Sequence, residues 1–376
     1  MKLHSPKLFL EINDSEYTFS VGDEEQKNNF KVIYRDVVSI EGITKNCKVI
    51  DFEKALNTTK KNIIAIEQKF NFTFKEIILI LDNSDCTFLN VTGFKKLNGS
   101  QILKENITYI LNSLKSNIDL IESKKTILHI FNTKYLLDKK KIENLPIGLF
   151  GNFYSHELSF CLIDNNDFKN LNNVFNNCNL KIKKLFLKSF VEGSLTSKKN
   201  SNLGNFFQIK INENNSQIFY FENDSLKFEQ NFNFGTDLII KDISKITSLN
   251  IKLVQKILNN INLSKKTLKD ELIEKELFEN ENYIKIKKKL ILEIAEARIH
   301  ELLEIMLFKN VNFFYYRKKN LSIFLKINNK PHLNLFKESY ELFFSQNKNL
   351  FVIFADSSST DELISSVCLL YTSDAA

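Results

Sequence analysis

The sequence predicts an α/β protein built from two similar halves, and two observations support this prediction. Strand-like runs at Lys7–Ile12 and 17–21 flank a short polar turn, and Asn205–Phe221 repeats the pattern of strand, turn and strand. After the first pair of strands, a helical pattern over Phe52–Phe70 leads into the apolar run Glu76–Leu81, which is typical of a buried parallel strand. This order of elements favours a duplicated α/β fold.

The composition is that of a folded chain with a mixed-charge surface. Of its 376 residues 43% are hydrophobic, which is enough for two domains with large cores. Lysine and arginine number 52 against 45 aspartates and glutamates, so the net charge of +7 is a mild excess rather than a basic arm. The lysine-rich clusters are scattered and do not form a continuous phosphate-binding track, so we do not expect nucleic-acid binding.

The cysteine and hydropathy patterns bear on the cellular compartment. The five cysteines have no CxxC spacing, and several lie in apolar runs, so we expect reduced, buried thiols and no metal site. They are Cys47, Cys86, Cys161, Cys178 and Cys368. No apolar run reaches about 18 residues, and the N-terminal segment lacks the apolar core of a signal peptide. We therefore expect a cytoplasmic protein that is soluble or attached to a membrane only peripherally.

A turn rich in proline and glycine gives the first family resemblance. The chain has only 3 prolines and 9 glycines, yet Pro146, Gly148 and Gly151 fall within six positions of one another. Asn144 precedes them, and a strand-like run begins at His156. This connection resembles the end of the subdomain that is inserted in the bacterial cell-division protein FtsA, a member of the actin-like superfamily.

Further segments resemble the same family in the same order along the chain. The strand ILHIFNTKY places His129 and Tyr135 at matching positions, and the amphipathic helical pattern over 290–306 matches through its glutamate, arginine and leucine positions. From the residues alone, His129 is a half-buried strand histidine without a chemical role. Alternation of apolar residues with lysines predicts a strand at 283–291.

The resemblance implies an actin-like fold, meaning two ribonuclease-H-like α/β domains, with an FtsA-type inserted subdomain. We expect the first actin-like subdomain at 1–82 and 162–203, the inserted subdomain at 83–161, the second actin-like subdomain at 204–234 and 290–365, and a smaller FtsZ-binding-type subdomain at 235–289. Residues 366–376 resemble a translated sequencing adaptor, so we expect an artefactual tail there. The amphipathic helix that ends FtsA-like chains is then absent from this one.

Three turns stand where the family binds ATP, and each has lost its glycines. The candidate nucleotide-binding residues are Glu11, Asn13, Ser15, Asn212, Asn214, Ser216, Asn328 and Asn329. Asparagine tolerates the left-handed conformation of a turn, but its side chain does not leave bare backbone amides facing a phosphate as a glycine run does. We therefore expect a degenerate nucleotide site and no ATP hydrolysis. ATP with Mg²⁺ is the only cofactor that the resemblance suggests.

The resemblance implies a non-enzymatic cell-division protein that binds FtsZ filaments and links them to the cytoplasmic face of the inner membrane at the division site. We expect self-association through the inserted subdomain, and membrane attachment through the terminal helix that this chain lacks. The acidic tail of FtsZ would suit a basic set formed by Lys287, Lys288, Lys289 and Arg298, although a solvated charged face fits the same residues. The alternatives are a pilus-assembly scaffold of the PilM type and an ATP-binding actin-like ATPase.

Overall fold

The computed structural model describes most of the chain, which divides into two compact units. The described residues are 5–25, 29–82, 84–200, 203–261, 271–278, 282–316, 321–327, 336–346, 350–355 and 359–373. The first unit comprises Met1–Gly204, Glu222–Lys227 and Ser358–Ala376, and the second comprises Asn205–Phe221 and Phe228–Ser357.

Two sheets and a short ribbon organise the first unit. Its strands are β1 (Lys7–Ile12), β2 (Glu16–Glu25), β3 (Asn29–Ser39), β4 (Thr44–Lys45), β5 (Lys48–Val49), β6 (Glu76–Leu81), β7 (Thr87–Lys96), β8 (Lys125–Leu137), β9 (Lys140–Ile142), β10 (Phe153–Asp164) and β11 (Lys181–Leu187). Its first four helices are α1 (Phe52–Phe70), α2 (Lys104–Ile121), α3 (Asn165–Asn176) and α4 (Lys188–Lys199). The larger sheet has the order β11-β6-β1-β2-β3, with β1, β6 and β11 parallel and β1, β2 and β3 antiparallel. Strands β4 and β5 pair with each other.

The larger sheet is buried on both faces, which explains why its parallel strands are almost continuously apolar. Successive side chains of a strand point to opposite faces. Leu8 and Leu10 of β1 accordingly pack with α1 and α3 on one face, while Phe9 packs with α4 on the other. Helix α1 begins at an N-cap, Asp51, whose side chain accepts a hydrogen bond of 3.0 Å from the amide of Lys54.

A second, four-stranded antiparallel sheet lies between β6 and α3 in the sequence. Its order is β7-β10-β8-β9, and α2 packs on it through Ile107, Ile110 and Ile118. Because α2 repeats apolar residues at helical spacing, one stripe of the helix covers the sheet. This layer is an insertion into the first α/β half.

The second unit repeats the strand order of the first. Its strands are β12 (Asn205–Ile211), β13 (Ser216–Glu222), β14 (Ser225–Phe232), β15 (Leu321–Ile327) and β16 (Leu350–Phe354), and its helices are α5 (Asp237–Thr247), α6 (Ile251–Asn260), α7 (Lys288–Leu303), α8 (Val311–Tyr316) and α9 (Lys337–Ser345). The sheet has the order β14-β13-β12-β15-β16, so β12 takes the central place of β1. Strands β12, β15 and β16 are parallel. The predicted duplication of the α/β fold is therefore present.

The prediction of a strand at 283–291 is wrong. Residues 282–286 have no regular structure, Lys287 forms one isolated bridge with Leu272, and α7 begins at Lys288. The helical spacing of the buried residues Ile291, Ala295 and Leu302 determines the structure here, and the apparent alternation was caused by interspersed lysines. The helix predicted over 290–306 is confirmed, with a π-helical last turn at Glu304–Phe308.

The last helix, α10 (Thr360–Ser373), belongs to the first unit. Leu363, Ile364, Val367 and Cys368 are buried against the face of the larger sheet that carries Phe9. The stretch at 366–376 that resembles a sequencing adaptor therefore begins inside a packed helix.

Candidate functional site

The turn between β1 and β2 is filled by its own asparagine side chain. Oδ1 of Asn13 accepts hydrogen bonds from the amides of Ser15 (2.8 Å) and Glu16 (2.6 Å) and from the hydroxyl of Ser15 (3.1 Å). These are the outward-facing amides that a glycine-rich turn offers to a phosphate. In this chain the amides are satisfied internally, by an arrangement that asparagine forms readily in turns.

A lysine neutralises the carboxylates beside this turn. Nζ of Lys188, at the start of α4, lies 2.7 Å from Oε1 of Glu11 and 2.8 Å from Oδ2 of Asp82. Burial opposes the charge of this ammonium, but Asp82, Glu11 and Glu192 outweigh burial and hold the pKa of Lys188 well above its usual value. Glu11 and Asp82 therefore bind a fixed cation that the chain itself supplies.

The corresponding turn of the second unit, between β12 and β13, is also closed internally. The carbonyl of Asn212 accepts a hydrogen bond of 2.9 Å from the amide of Thr236, and the carbonyl of Glu213 accepts one of 2.9 Å from the amide of Asp237. Asn212 also bonds across the turn to Asn215, with 2.7 Å between Nδ2 and Oδ1. The first backbone amides of α5 therefore donate hydrogen bonds to carbonyls of the turn. These amides are not available to bind an anion at the N-terminus of the helix.

The remaining candidate nucleotide-binding residues are Asn214, Ser216, Asn328 and Asn329. The Ser216 hydroxyl is buried and donates a hydrogen bond of 2.8 Å to the carbonyl of Phe234, while Asn214 lies in the turn itself. Asn328 and Asn329 lie outside the described residues. The amides of Ser15 and Glu16 and the first amides of α5 are therefore already bonded within the chain, and within the described residues no cluster of three metal-ligating side chains occurs. These bonded amides do not fit the phosphates of ATP.

The basic set predicted to bind a partner does not form one exposed patch. Lys288 is buried and its Nζ lies 2.5 Å from Oε1 of Glu274 and 3.3 Å from Oε2 of Glu271. Lys289 pairs with Glu293 at 3.5 Å, and Arg298 pairs with Asp242 and Glu301. Lys287 is exposed. Much of the positive charge of this set is neutralised by neighbouring carboxylates.

A groove of about 900 Å³ lies in the first unit, between β11 and residues 127–131 of β8. Strand β11 is at the edge of its sheet in the described part of the chain, and β9 pairs only with Tyr135–Leu137 of β8. Beyond residue 131, the carbonyls of Asn132 and Thr133 accept hydrogen bonds from Ser225 and Asn223, which close that end of the edge. The groove is therefore bordered by two sheet edges, which are the elements that pair with an extended peptide.

The groove has an aromatic wall and a positive rim. His129, Phe131, Phe186 and Phe190 form the aromatic wall, with 4.6 Å between the ring centroids of Phe131 and Phe190. The rim carries Lys115, Lys181, Lys183 and Lys184, of which Lys183 pairs with Glu76 outside the lining, and none of the residues that line the groove in the described part of the chain is acidic. Such a surface suits an extended segment that has both apolar and acidic side chains.

The groove residues carry no sequence signal specific enough to predict a binding site. The run KIKKLFL places three lysines before the apolar end of a strand. In a lysine-rich chain such a run does not indicate a binding site unless the strand is known to lie at a sheet edge, as β11 does. His129 was interpreted as a half-buried strand residue without a chemical role, and it lies in the aromatic wall.

Comparisons with known proteins agree with the duplicated architecture. No protein-family model and no curated protein sequence matches the chain. Among solved structures, a chain of a PilM–PilN type IV pilus biogenesis complex matches with a TM-score of 0.54 and 9% identity, covering 95% of this chain and 93% of that chain. MreB5 of Spiroplasma citri bound to ADP matches with a TM-score of 0.50 and 11% identity, covering 99% and 97%. This chain has the actin-like fold.

At these identities the comparisons show the fold alone. The actin-like fold of this chain carries its extra sheet, β7 to β10, within the first half. Within the described residues, none of the helices combines the length and apolarity needed to cross a membrane.

Proposed function

We propose that this actin-like protein is a scaffold that binds a partner protein and does not hydrolyse ATP. The observation that carries the proposal is the ion pairing of Lys188 with Glu11 and Asp82, beside a turn whose amides are bonded to Asn13. Catalysis of phosphoryl transfer depends on metal ions and on donors directed at the transferring phosphate. In this chain the amides of that turn are bonded to Asn13, and the neighbouring carboxylates are bonded to Lys188.

The groove between β8 and β11 supports the binding half of the proposal. Its two sheet edges supply backbone groups, its aromatic wall supplies apolar contact, and its four lysines supply positive charge. We infer that an extended segment with acidic and apolar residues binds there by adding to one of the edges.

The first candidate partner is FtsZ. The resemblance of the sequence to FtsA supports this partner, and the acidic tail of FtsZ has the charge that the groove requires. The protein would then link FtsZ filaments to the inner membrane at the division site, as an FtsA-like adaptor. The second candidate is a pilus-assembly role, which is favoured by the similarity of this fold to the PilM chain of a PilM–PilN complex.

Co-sedimentation tests the two candidates directly. The chain is mixed at near-physiological salt with polymerised FtsZ from the same source, with or without the FtsZ C-terminal tail, and in parallel with the PilN-type protein of that source on beads. Tail-dependent pelleting supports the FtsZ adaptor, and retention on the beads supports the pilus scaffold. If the folded chain binds neither protein, the scaffold function is wrong for both candidates.

Charge-reversal variants test which of the two basic surfaces binds the partner. The variant Lys181→Glu/Lys184→Glu changes the groove, and Lys287→Glu/Lys289→Glu changes the basic set at the start of α7 by the same charge. Because the groove has no acidic side chain in its described lining, we expect the first variant to weaken binding by roughly tenfold or more and the second by less than about twofold. The opposite ranking would place the partner on the second unit.

A further inference from the structure

The loop between β9 and β10 holds apolar side chains on a fixed backbone. The amide of Gly148 donates to the carbonyl of Ile102 (2.8 Å), and the amide of Ile102 donates to the carbonyl of Leu149 (2.8 Å). The side chain of Gln101 donates to the carbonyl of Gly148 (2.8 Å). Gly148 has φ of +89°, which a side-chain-bearing residue rarely adopts, so the turn depends on glycine. The loop is therefore bonded to the chain just before α2.

This fixed loop exposes most of its apolar residues. Ile147 is 49% exposed and Phe150 is 70% exposed. Phe94 of β7 is 65% exposed and stacks on Phe153, the first residue of β10 after this loop, with 5.6 Å between ring centroids. We call this surface the apolar tip; its residues are Phe94, Leu145, Ile147, Leu149, Phe150 and Phe153. A cluster of this kind on a rigid support marks an interaction surface, since monomeric proteins rarely expose one without a function.

Lysines surround the apolar tip. Lys95 and Lys96 lie on β7 directly opposite Tyr154 and Phe153, and Lys104 begins α2. Three further lysines occupy the turn and strand at 139–141, next to Asp138, whose carboxylate accepts hydrogen bonds from the amides of Asn152 and Phe153. Segments 94–105 and 138–153 together contain six lysines against Glu105, Asp138 and Glu143. The surroundings of the tip are therefore positive.

We infer that the apolar tip is a membrane-contacting surface that inserts into the headgroup region of an anionic bilayer. Apolar side chains that project from a rigid support gain free energy by entering the acyl boundary, and lysines around them are attracted to anionic lipid. Charge complementarity favours a lipid surface over an apolar protein face, because six lysines would have to be desolvated or paired in a dry interface. One loop of this size gives weak, reversible binding.

Vesicle co-sedimentation tests this inference with the full chain. Sonicated vesicles contain phosphatidylglycerol and phosphatidylethanolamine, or phosphatidylcholine alone. The test variant is Ile147→Ser/Phe150→Ser, and the matched control is Leu120→Ser/Ile121→Ser, which changes two apolar residues that are 79% and 78% exposed at the other end of α2. An 18-residue helix is about 27 Å long, so the control lies far from the tip.

We expect the native chain to pellet with the anionic vesicles, less so as salt is raised, and to stay in solution with phosphatidylcholine alone. The tip variant should have a roughly tenfold lower partition coefficient and the control variant less than a twofold change. Equal binding by the tip variant, or pelleting without vesicles, overturns the inference; the second outcome instead indicates a contact between copies of the chain, which sedimentation velocity would show as a dimer.

Discussion

Nζ of Lys188 lies 2.7 Å from Oε1 of Glu11, although the two residues are 177 positions apart in the sequence. Asp82 shares the same ammonium at 2.8 Å. These three residues join the ends of β1, β6 and β11, the three parallel strands of the larger sheet. In this chain the carboxyl ends of parallel strands, where α/β folds commonly bind ligands, are held together by an internal ion triad.

Loss of Lys188 should destabilise the first unit strongly. In Lys188→Met the carboxylates of Glu11 and Asp82 keep their burial and lose their counter-ion, which costs about 3 kcal/mol of unfolding free energy. Urea unfolding followed by circular dichroism measures this loss. The control is Lys199→Met, which removes an exposed pair with Glu362 and should cost less than about 1 kcal/mol. Equal costs for the two variants would show that the triad contributes little.

His156 should make the protein sensitive to acid. This histidine of β10 is 1% exposed, its Nε2 donates to Oδ1 of Asn132 at 2.9 Å, and burial lowers its pKa to about 4. The unfolded chain has the ordinary pKa of about 6.5, so it binds a proton that the folded protein excludes. Stability is therefore highest above pH 6.5 or so and falls as the pH decreases towards the folded pKa, by about 2 kcal/mol between pH 7 and 5.

The variant His156→Gln isolates this effect, since glutamine does not titrate. Urea titrations at about pH 7 and pH 5 should show a smaller loss of unfolding free energy in the variant than in the native chain, by about 2 kcal/mol. His300→Gln, at a half-buried histidine that packs on Phe343, serves as the control for the loss of an imidazole ring elsewhere in the chain. An unchanged acid sensitivity in His156→Gln would assign the effect to the carboxylates.

Gly235 should tolerate no side chain. A Cβ at this position would lie 2.3 Å from the carbonyl oxygen of Asn212 and 2.4 Å from that of Glu213. Those carbonyls accept hydrogen bonds from Thr236 and Asp237, so they cannot move without opening the turn against α5. Gly235→Ala should lower the unfolding free energy by about 1–3 kcal/mol. Gly204→Ala, where a Cβ meets nothing within 4 Å, should change it by less than about 0.5 kcal/mol.

Local patterns were sufficient to predict most of the fold. The hairpins at β1–β2 and β12–β13 could be recognised because strand alternation and turn residues are short-range features. The strand predicted at 283–291 failed because lysines interspersed with apolar residues imitate alternation, while the packing of Ile291 and Ala295 in the core made the segment from Lys288 helical. Strand β14 and helix α5 were not predicted, whereas the strand pattern continues over 31–38, where the structure has β3.

The candidate site was only partly predictable, for a physical reason. The glycine losses at Asn13 and Asn212 can be read from the sequence, and in the structure the side chains of both asparagines bond within their own turns. The ion pair between Lys188 and Glu11 depends on the order of strands across the whole first half, and a local sequence pattern does not predict that order. The groove likewise depends on the position of β11 at a sheet edge, next to the part of β8 that β9 does not cover.

Nucleotide should leave the stability of the chain unchanged. A ligand present at 100 times its Kd raises the unfolding free energy by about 2.7 kcal/mol, which shifts the Tm by several degrees for units of this size. Because Asn13 occupies the amides of Ser15 and Glu16, and the turn at Asn212 occupies those of Thr236 and Asp237, we expect about 1 mM ATP with Mg²⁺ to shift the Tm by less than about 1 °C. Differential scanning fluorimetry with ATP, ADP and a non-hydrolysable analogue measures it. A saturable shift of several degrees would mean that the turns open to receive phosphate, and the scaffold proposal would then have to include a nucleotide-dependent state.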